Sequence, residues 1–583
     1  MSKLSVDQTS IKRLFEDKKS DFLIPDYQRP YAWTETECLT LWEDLFEFAF
    51  PEKDNDKFTD DEYYLGPIVT FKNDDNKLEI IDGQQRLTTL MLLLRAFVVK
   101  FKNAQDKNTI LTRQNIEKCI WKTDEFGNPD INRLKIDSEV ATDNDKDEFL
   151  DILKTGEAKK ELRSKYAINY RFFQEKIAEF VDNYPMYVAY FPIRILNNCI
   201  LLPIEADDQD TALRIFSTLN DRGLPLSDAD IFKAQFYKYY SKKGQKDNFI
   251  EKWKSLEEIA DKIFNPAIGT PMDELFTRYM YYERAKMGIK ASTTEALRKF
   301  YEKDYDGTGA YSLLNRDETL ENLICLADFW KDVINQNKDR FSERILKKLF
   351  ILNYAPNSMW TYFLTVYFMH NRNDYNLLNE NELYNFLNKS IAFIWAYGIT
   401  NPGVNALRTP VYAEMVNIVQ DRDVSFNDFK FEEDIMRKSI DNYSFWNQRP
   451  ITKSMLVWWA FEEQSQELLK LDEKLEIEHI YARNRYENEH TLSNTRYLDM
   501  LGNKSILEKR INIRASDYRF VDKKKYYNGF ENSRGAKKEG TKIIELVSLA
   551  NTKGDFIEND IIERNRKMIE KFLNYLFDNG LLR

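Results

Sequence analysis

The order of hydrophobic and polar residues in the first third of the chain predicts a small sheet with amphipathic helices against it. Residues 65–71 and 77–81 have the alternation of a strand pair on either side of a polar turn. Residues 84–100 follow with apolar side chains at helical spacing, so we expect this helix to pack on the sheet. Further helices are predicted at residues 34–50, 167–181 and 210–219, and further strands at residues 22–24 and 198–205.

From about residue 240 to residue 470 the pattern is helical almost throughout and rich in leucine, phenylalanine and tyrosine. We find no motif there with recognisable chemistry, and no repeat of solenoid length. Near residue 470 the pattern changes, and residues 475–480 alternate as a strand does. The sequence therefore predicts an α+β, mostly helical protein with domains at residues 8–240, 241–429 and 430–578.

The composition is that expected of a folded cytoplasmic protein. A length of 583 residues favours two to four domains, and a hydrophobic content of 43% is ample for buried cores. The sequence has no apolar run of 18 residues, so no membrane helix is expected, and its first residues lack the apolar segment of a signal peptide. The cysteines are scattered without a C-x-x-C pair, which fits a reducing cytosol and excludes a cysteine zinc site.

The net charge of −11 restricts how the chain could hold a nucleic acid. A protein that grips DNA over its whole surface is usually basic, so any contact with DNA is expected to be local. The best candidate is the segment 504–542, here called the basic strip, which has 12 Lys and Arg against 5 Asp and Glu. The alternative is an ordinary solvated helix face.

The junction between the strand at 77–81 and the helix at 84–100 is the first candidate site. The residues Asp82-Gly83-Gln84-Gln85-Arg86 turn directly from strand to helix. The free N–H groups and the dipole of a helix start favour an anion such as a phosphate, and Arg86 adds a fixed positive charge. The alternative is a plain turn with Gly83 at the bend and Asp82 as cap. Neither a P-loop nor a Rossmann glycine motif is present, so neither of those nucleotide sites is expected.

The second candidate site contains His479, which follows Glu478 at the end of the predicted strand 475–480. A neutral imidazole can take a proton from water, and carboxylate and amide oxygens can hold the divalent cation of a metal-dependent nuclease. Adjacent side chains point to opposite faces of a strand, so both residues could serve one site only if the strand ends there. The alternative is a buried strand histidine bonded to a carboxylate. The other histidines, His370 and His490, are expected to be structural or surface residues.

Three separated blocks of the chain resemble the N-terminal domain of GmrSD-type restriction endonucleases, which is ParB/sulfiredoxin-like. They are residues 24–33 with 41–45, residues 82–86, and residues 212–224 with Leu226, Asp230 and Lys233. The resemblance implies a domain that binds and hydrolyses a nucleoside triphosphate, GTP or ATP. The residues it assigns to the nucleotide are Gln28, Arg29, Asp82, Gly83, Gln84, Gln85 and Arg86. Asn220, Asp230 and Lys233 would line the same cleft or simply cap helices.

The C-terminal region resembles the nuclease domain usually paired with that N-terminal domain, a ββα-metal (HNH, or His-Me finger) domain. The resemblance is carried by Glu478-His479, residues 501–507, Asn512, Phe520, Lys523 and Arg564. It implies that His479 is the general base, that Asn503 orients the imidazole, and that Glu478 and Asn512 hold Mg²⁺ or Mn²⁺. The family commonly has a proline two or three residues after the histidine, and this chain has none there.

Together these resemblances imply a bacterial anti-phage defence endonuclease, of the group that includes modification-dependent (type IV) restriction enzymes. We expect it to cut phage DNA, modified DNA in particular, under the control of a nucleotide. No membrane partner is expected, and the aromatic helical middle leaves surface for a homo-oligomer. Three alternatives remain open: a nuclease-dead DNA-binding sensor, an RNA-cleaving effector, and a structural or interaction protein.

Overall fold

The computed structural model describes residues 5–583 except 7, 18–19, 51–60, 141–142, 160, 210, 213–214, 216–226, 404 and 532–534. The chain forms two compact units, residues 1–255 and residues 256–583. It is mostly helical with small sheets, as the α+β prediction requires. No helix within the described residues is long and apolar enough to cross a membrane.

The strands of the described residues, in chain order, are β1 Ser5–Val6, β2 Thr9–Ser10, β3 Phe22–Ile24, β4 Tyr63–Lys72, β5 Leu78–Asp82, β6 Trp121–Thr123, β7 Pro129–Leu134, β8 Ile136–Ser138, β9 Cys199–Ala206, β10 Leu475–His479, β11 Lys504–Glu508, β12 Phe530–Glu531 and β13 Lys537–Lys538. The first nine helices that the structure bounds are α1 Ile11–Glu16, α2 Glu35–Ala49, α3 Gln84–Lys100, α4 Lys107–Ile120, α5 Lys146–Thr155, α6 Lys165–Asn183, α7 Tyr190–Asn198, α8 Asp228–Lys242 and α9 Lys246–Ile263. The later helices are α10 Pro271–Lys286, α11 Leu297–Tyr301, α12 Asp317–Ile334, α13 Glu343–Leu352, α14 Met359–Asn371, α15 Glu380–Thr400, α16 Arg408–Val419, α17 Glu433–Asn442, α18 Pro450–Phe461, α19 Arg483–Glu489, α20 Lys509–Ala515, α21 Phe520–Asn528, α22 Ile544–Thr552 and α23 Glu558–Asp578.

The first unit is built on a seven-stranded mixed sheet in the order β1-β9-β4-β5-β3-β8, with β2 also paired to β9. β4 and β5 form the predicted antiparallel pair, while β3 pairs in parallel with both β5 and β8. A capping box starts α2, because Thr34 accepts from the helix start and Glu37 accepts from the Thr34 N–H group.

Helix α3 is the centre of the first unit. Its expected apolar face is buried, and so are Leu92, Leu93, Arg95 and Ala96 on its other side. Helices α4 and α6 pack against this helix, so it is buried on more than the face that was expected to meet the sheet. The start of α3 is thereby fixed at the end of β5.

The second unit is a helical assembly that contains a small strand-strand-helix motif. β10 and β11 pair antiparallel, with His479 opposite Lys504, and α20 begins directly after β11. The predicted helical middle and nuclease regions pack together inside this unit. Tyr575 on α23, for example, donates to Asn388 Oδ1 on α15 across 2.7 Å. The predicted boundary at residue 429 stays a prediction.

Candidate functional site

The ribbon of β10 and β11 places His479 at a strand end. The next N–H group, that of Ile480, bonds to the carbonyl oxygen of Asn503 at 2.9 Å as the chain turns away. This ending satisfies the condition under which Glu478 and His479 could serve one site. With α20 following β11, the ribbon has the strand-strand-helix order of a ββα nuclease motif.

The His479 imidazole is neutral and has an unpartnered nitrogen. Its Nε2 atom is buried and makes no hydrogen bond. Burial, together with the positive charges of Lys504 and Arg483, lowers the pKa of His479 to about 4. An unpartnered buried polar atom is unusual, and a catalytic role is one explanation for it. The alternative, a histidine bonded to a carboxylate, does not apply to the Nε2 atom, which has no hydrogen-bond partner.

Asn503 is fully buried, and its amide holds the backbone beyond His479. Its Oδ1 atom accepts from the Tyr481 N–H group at 2.8 Å, and its Nδ2 atom donates to the carbonyls of Tyr481 and Leu498. The structure gives this amide hydrogen bonds with backbone and none with the imidazole. Asn503 is therefore suited to orient His479 through the main chain, as a positioning residue.

Gly502 and Arg564 fix the turn that contains Asn503. A Cβ atom on Gly502 would overlap the Ile561 carbonyl oxygen of α23, so only glycine allows this approach. Arg564 donates to the carbonyls of Leu501, Gly502 and Lys504 at 2.8–3.0 Å, and it forms a bidentate pair with Glu545. Sequence reasoning noted Arg564 only as part of a late helix.

Glu478 lies in a buried ion pair. The Lys523 Nζ atom is 2.8 Å from its Oε1 atom, and the Tyr527 hydroxyl donates to the same oxygen at 2.6 Å. Burial raises the pKa of Glu478, while Lys523 acts in the opposite direction. Lys523 also donates to the His479 carbonyl at 2.7 Å. An ammonium group thus already compensates the carboxylate that was predicted to hold a metal.

Asn512 lies on α20, where its Nδ2 atom donates to Glu476 at 3.1 Å. Glu476 and Glu478 share a face of β10 by strand alternation, and Lys509 approaches Glu476 at 3.5 Å. These carboxylate and amide oxygens suit a hard cation chemically. Over the described residues, however, no group of three or more His, Cys, Asp or Glu side chains is placed to hold a metal. The donor types of Glu478 and Asn512 thus suit a cation. In this structure, however, Glu478 is paired with Lys523, and the Asn512 amide is bonded to Glu476.

At the N-terminal junction the bend falls at Gly83, which has φ +93° and is the N-cap of α3. The Asp82 Oδ1 atom accepts from the Gly83 N–H group at 2.7 Å, so Asp82 does not itself cap the helix. The first helical bond runs from the Leu87 N–H group to the Gly83 carbonyl. The N–H groups of residues 84–86 therefore point out of the helix start.

The three glutamines of the predicted nucleotide site bind the protein's own backbone. Gln28 donates to the Ile80 and Ile81 carbonyls at 3.3 and 3.2 Å. Gln84 donates to the Arg29 carbonyl at 3.2 Å. Gln85 accepts from the Ala32 N–H group at 2.6 Å and donates to the Pro30 carbonyl at 3.2 Å. Their amides fasten the segment after β3 across the start of α3.

The junction also contains three charged side chains, those of Arg86, Arg29 and Asp82. The Arg86 Nη1 atom donates to the Pro67 carbonyl at 3.0 Å, and the Arg29 Nε atom is buried without a hydrogen bond. Burial raises the pKa of Asp82, and the charges of Arg86 and Arg29 oppose this rise. The guanidinium groups of Arg86 and Arg29 thus favour the charged form of Asp82 beside the helix start.

The third sequence block contributes less. Asn220 lies outside the described residues. Asp230 completes a capping box with Ser227 at the start of α8. Lys233 is buried, with its Nζ atom 5.9 Å from the centroid of the Trp253 ring. Asp230 therefore follows the helix-capping alternative.

Only some of the cations of the basic strip are exposed to solvent. Lys504 and Lys523 are buried and ion-paired. Its exposed cations on α20, α21 and the β12–β13 hairpin include Lys509, Arg510 and Lys525. Several apolar side chains, Ile513, Tyr518 and Val521, are exposed among them.

Two family models match the chain. One describes the N-terminal domain of the GmrSD restriction endonuclease and matches residues 11–237. The other describes the C-terminal domain of GmrSD restriction endonucleases and matches residues 427–571. The chain belongs to the GmrSD restriction endonuclease family. The matched regions of this GmrSD chain together span more than half of its length and contain both candidate sites.

A curated relative of this GmrSD chain is an uncharacterized protein of Methanocaldococcus jannaschii. It is 23% identical over 249 residues, which cover 39% of this chain and 41% of the relative. The chain thus matches less than half of the length of this relative.

Proposed function

We propose that this protein is a nucleotide-regulated DNA endonuclease of anti-phage defence whose C-terminal domain cuts with His479 as general base. The observation that carries the proposal is the buried Nε2 atom of a neutral imidazole at the end of the ββα ribbon. In the proposed reaction this nitrogen takes a proton from the attacking water. Lys523 holds the His479 carbonyl, and Asn503 holds the backbone of Tyr481 just beyond it.

We further propose that Glu478 and Asn512 hold one Mg²⁺ or Mn²⁺ ion. Such an ion would stabilise charge on the scissile phosphate and the leaving oxygen. Because Lys523 compensates Glu478 in this structure, binding would require that ion pair to open or to share the carboxylate. The exposed cations of the basic strip are proposed to contact the DNA backbone.

At the N-terminal junction we propose a triphosphate site made by the α3 start, Arg29 and Arg86. Asp82 would position water or a metal. The side chains of Gln28, Gln84 and Gln85 are given a structural role, since their amides are bonded internally. GTP or ATP bound there would regulate cleavage, and we propose that modified DNA is preferred and that the protein acts in the cytoplasm.

The nuclease test compares wild type with His479→Gln on supercoiled plasmid and modified phage DNA, with Mg²⁺ or Mn²⁺ and with or without GTP or ATP. His490→Gln is the matched control, because His490 is an exposed histidine of the same unit. We expect cutting by wild type and the control but not by His479→Gln. Equal cutting by all three would overturn the role of His479, and cutting of RNA alone would favour the RNA-cleaving alternative.

The nucleotide test is an equilibrium binding measurement with labelled GTP and ATP. We expect Arg86→Ala to weaken binding about tenfold or more, because a charge-assisted contact to phosphate is lost. Arg133→Ala, an exposed arginine on β7, is the control and should bind as wild type does. Unchanged affinity in Arg86→Ala would remove the phosphate site from the junction.

A further inference from the structure

A cleft of about 540 Å³ lies in the second unit beside the His479 ribbon. Its lining comes from the end of α17 and the turn after it, from α19, and from residues 495–500. Two of the lining residues, Arg483 and Asp499, connect it to the candidate active site. Asp499 is 3.0 Å from Lys504, the residue paired with His479 across the ribbon. Arg483 is four residues beyond His479 and 3.8 Å from Asp499.

The cleft has an exposed tryptophan on one wall. All ten tryptophans lie in the described residues, and Trp446 is the most exposed of them, at 52%. Its backbone is firmly held, because its carbonyl accepts from the Arg449 N–H group and from the Thr452 hydroxyl at 2.8 Å. The Arg449 guanidinium lies 4.7 Å from the Tyr443 ring centroid and 5.2 Å from that of Trp446. The exposed indole therefore offers an aromatic face on a fixed backbone to a ligand in the cleft.

The charges of the cleft favour a base rather than a phosphate. Arg483 and Arg496 contribute two cations, and Asp441, Glu487 and Asp499 contribute three carboxylates. Phosphate sites are dominated by positive charge, whereas base edges present both donors and acceptors. A carboxylate can accept from an exocyclic amino group, and an aromatic face stacks on any base.

We propose that this cleft receives one base of the DNA strand being cut, next to the scissile phosphate, with its face stacked on Trp446. The proposal rests on the nuclease function proposed above and adds where the substrate strand is held. A base can enter such a cleft only after leaving the duplex stack. DNA that is already unpaired at this position should therefore be cut faster than intact duplex.

The test is a double-mutant cycle on cleavage. The cut position is first mapped with wild type, and oligonucleotides are then made with an abasic site on either side of it. We expect Trp446→Ala and the abasic substitution each to reduce kcat/KM about tenfold, and the combination to reduce it no further. Trp446→Phe should keep most of the activity. The control Tyr375→Ala removes an exposed aromatic side chain of the same unit and should leave kcat/KM unchanged.

The proposal for the cleft would be wrong if the two losses in kcat/KM were additive, or if Trp446→Ala cut DNA as fast as wild type. Either result would leave the nuclease function intact. If wild type cuts no DNA, the nuclease proposal fails. Tryptophan fluorescence then tests separately whether the cleft binds a base. Quenching by a single-stranded DNA oligonucleotide that disappears in Trp446→Phe would support the cleft. Quenching that persists in that variant, or that occurs with RNA alone, would refute it.

Discussion

The glutamine-rich junction at residues 82–86 and the His479 ribbon both place polar side chains where a strand ends, yet the fold uses them differently. At the junction, the amides of Gln84 and Gln85 are bonded to nearby backbone. At the ribbon, the fold satisfies Asn503 and Glu478 but leaves the His479 Nε2 atom buried without a partner. Hydrogen bonds within the fold thus engage the polar residues of one motif, whereas the other motif keeps an atom on which a chemical role can be proposed.

The largest effect expected from this comparison is at the ribbon. His479→Gln should reduce DNA cleavage about a thousandfold or more, because a positioned general base is lost. The free energy of unfolding at neutral pH should change little, since Nε2 makes no hydrogen bond that could be lost. Single-turnover cleavage and urea unfolding measure the two quantities. A variant that cuts normally, or one that unfolds together with losing activity, would place His479 among the structural residues.

The second prediction concerns the ion pair behind His479. Lys523→Met should lower the free energy of unfolding by about 3–5 kcal/mol, because Glu478 would be left buried and uncompensated. Glu478→Gln combined with Lys523→Met should recover most of that loss. If the double variant is as unstable as the single one, the pair is not the source of the stability. Mg²⁺ binding by the double variant compared with wild type would then show whether Glu478 also serves a cation.

The third prediction concerns the junction. Gln85→Ala should lower the free energy of unfolding of the first unit by about 1–3 kcal/mol, because the Ala32 N–H group and the Pro30 carbonyl lose their partner. Gln105→Ala, at an exposed glutamine of the same unit, should change it by less than about 0.5 kcal/mol. Nucleotide affinity should persist in Gln85→Ala under conditions where the variant is folded. A lost affinity at unchanged stability would make Gln85 a ligand contact instead.

The smallest effect is the pH dependence due to His479. Its pKa is lowered from 6.5 to about 4 in the folded protein, so the unfolded chain takes up this proton first on acidification. This histidine therefore lowers the free energy of unfolding between pH 6.5 and pH 4, and has no such effect above pH 6.5. Between pH 7.5 and 5.5, wild type should lose about 1 kcal/mol more than His479→Gln. If the free energies of unfolding of wild type and His479→Gln changed in parallel with pH, the fold would not be holding the imidazole neutral.

The sequence predicted the elements whose signals are local. The strand pair β4–β5, the helix α2 and the strand that contains His479 all depend on residues close to one another in the chain. No element was predicted between residues 105 and 138, yet α4 and β6–β8 lie there. The reason is that β7 is largely exposed and polar, so it lacks the alternation that marks a half-buried strand.

The partners of the candidate site residues were beyond sequence reasoning for a different reason. Lys523 and Tyr527 meet Glu478 from α21, more than 40 residues further along the chain. Only the fold determines that these side chains are buried against one carboxylate. The donor types of the proposed metal site were readable from sequence, but the ion pair that engages Glu478 was not.

The contact of Gly502 with α23 has a consequence for the order in which the protein is made. The turn that positions Asn503 is completed by Arg564 and by the backbone of α23, which arrive about 60 residues later. During synthesis the ribbon therefore lacks its last support until α23 has left the ribosome. By then the whole first unit, with its candidate nucleotide site, has long been available to fold. A nascent chain cannot order the turn beside His479 before the region proposed to regulate cleavage exists.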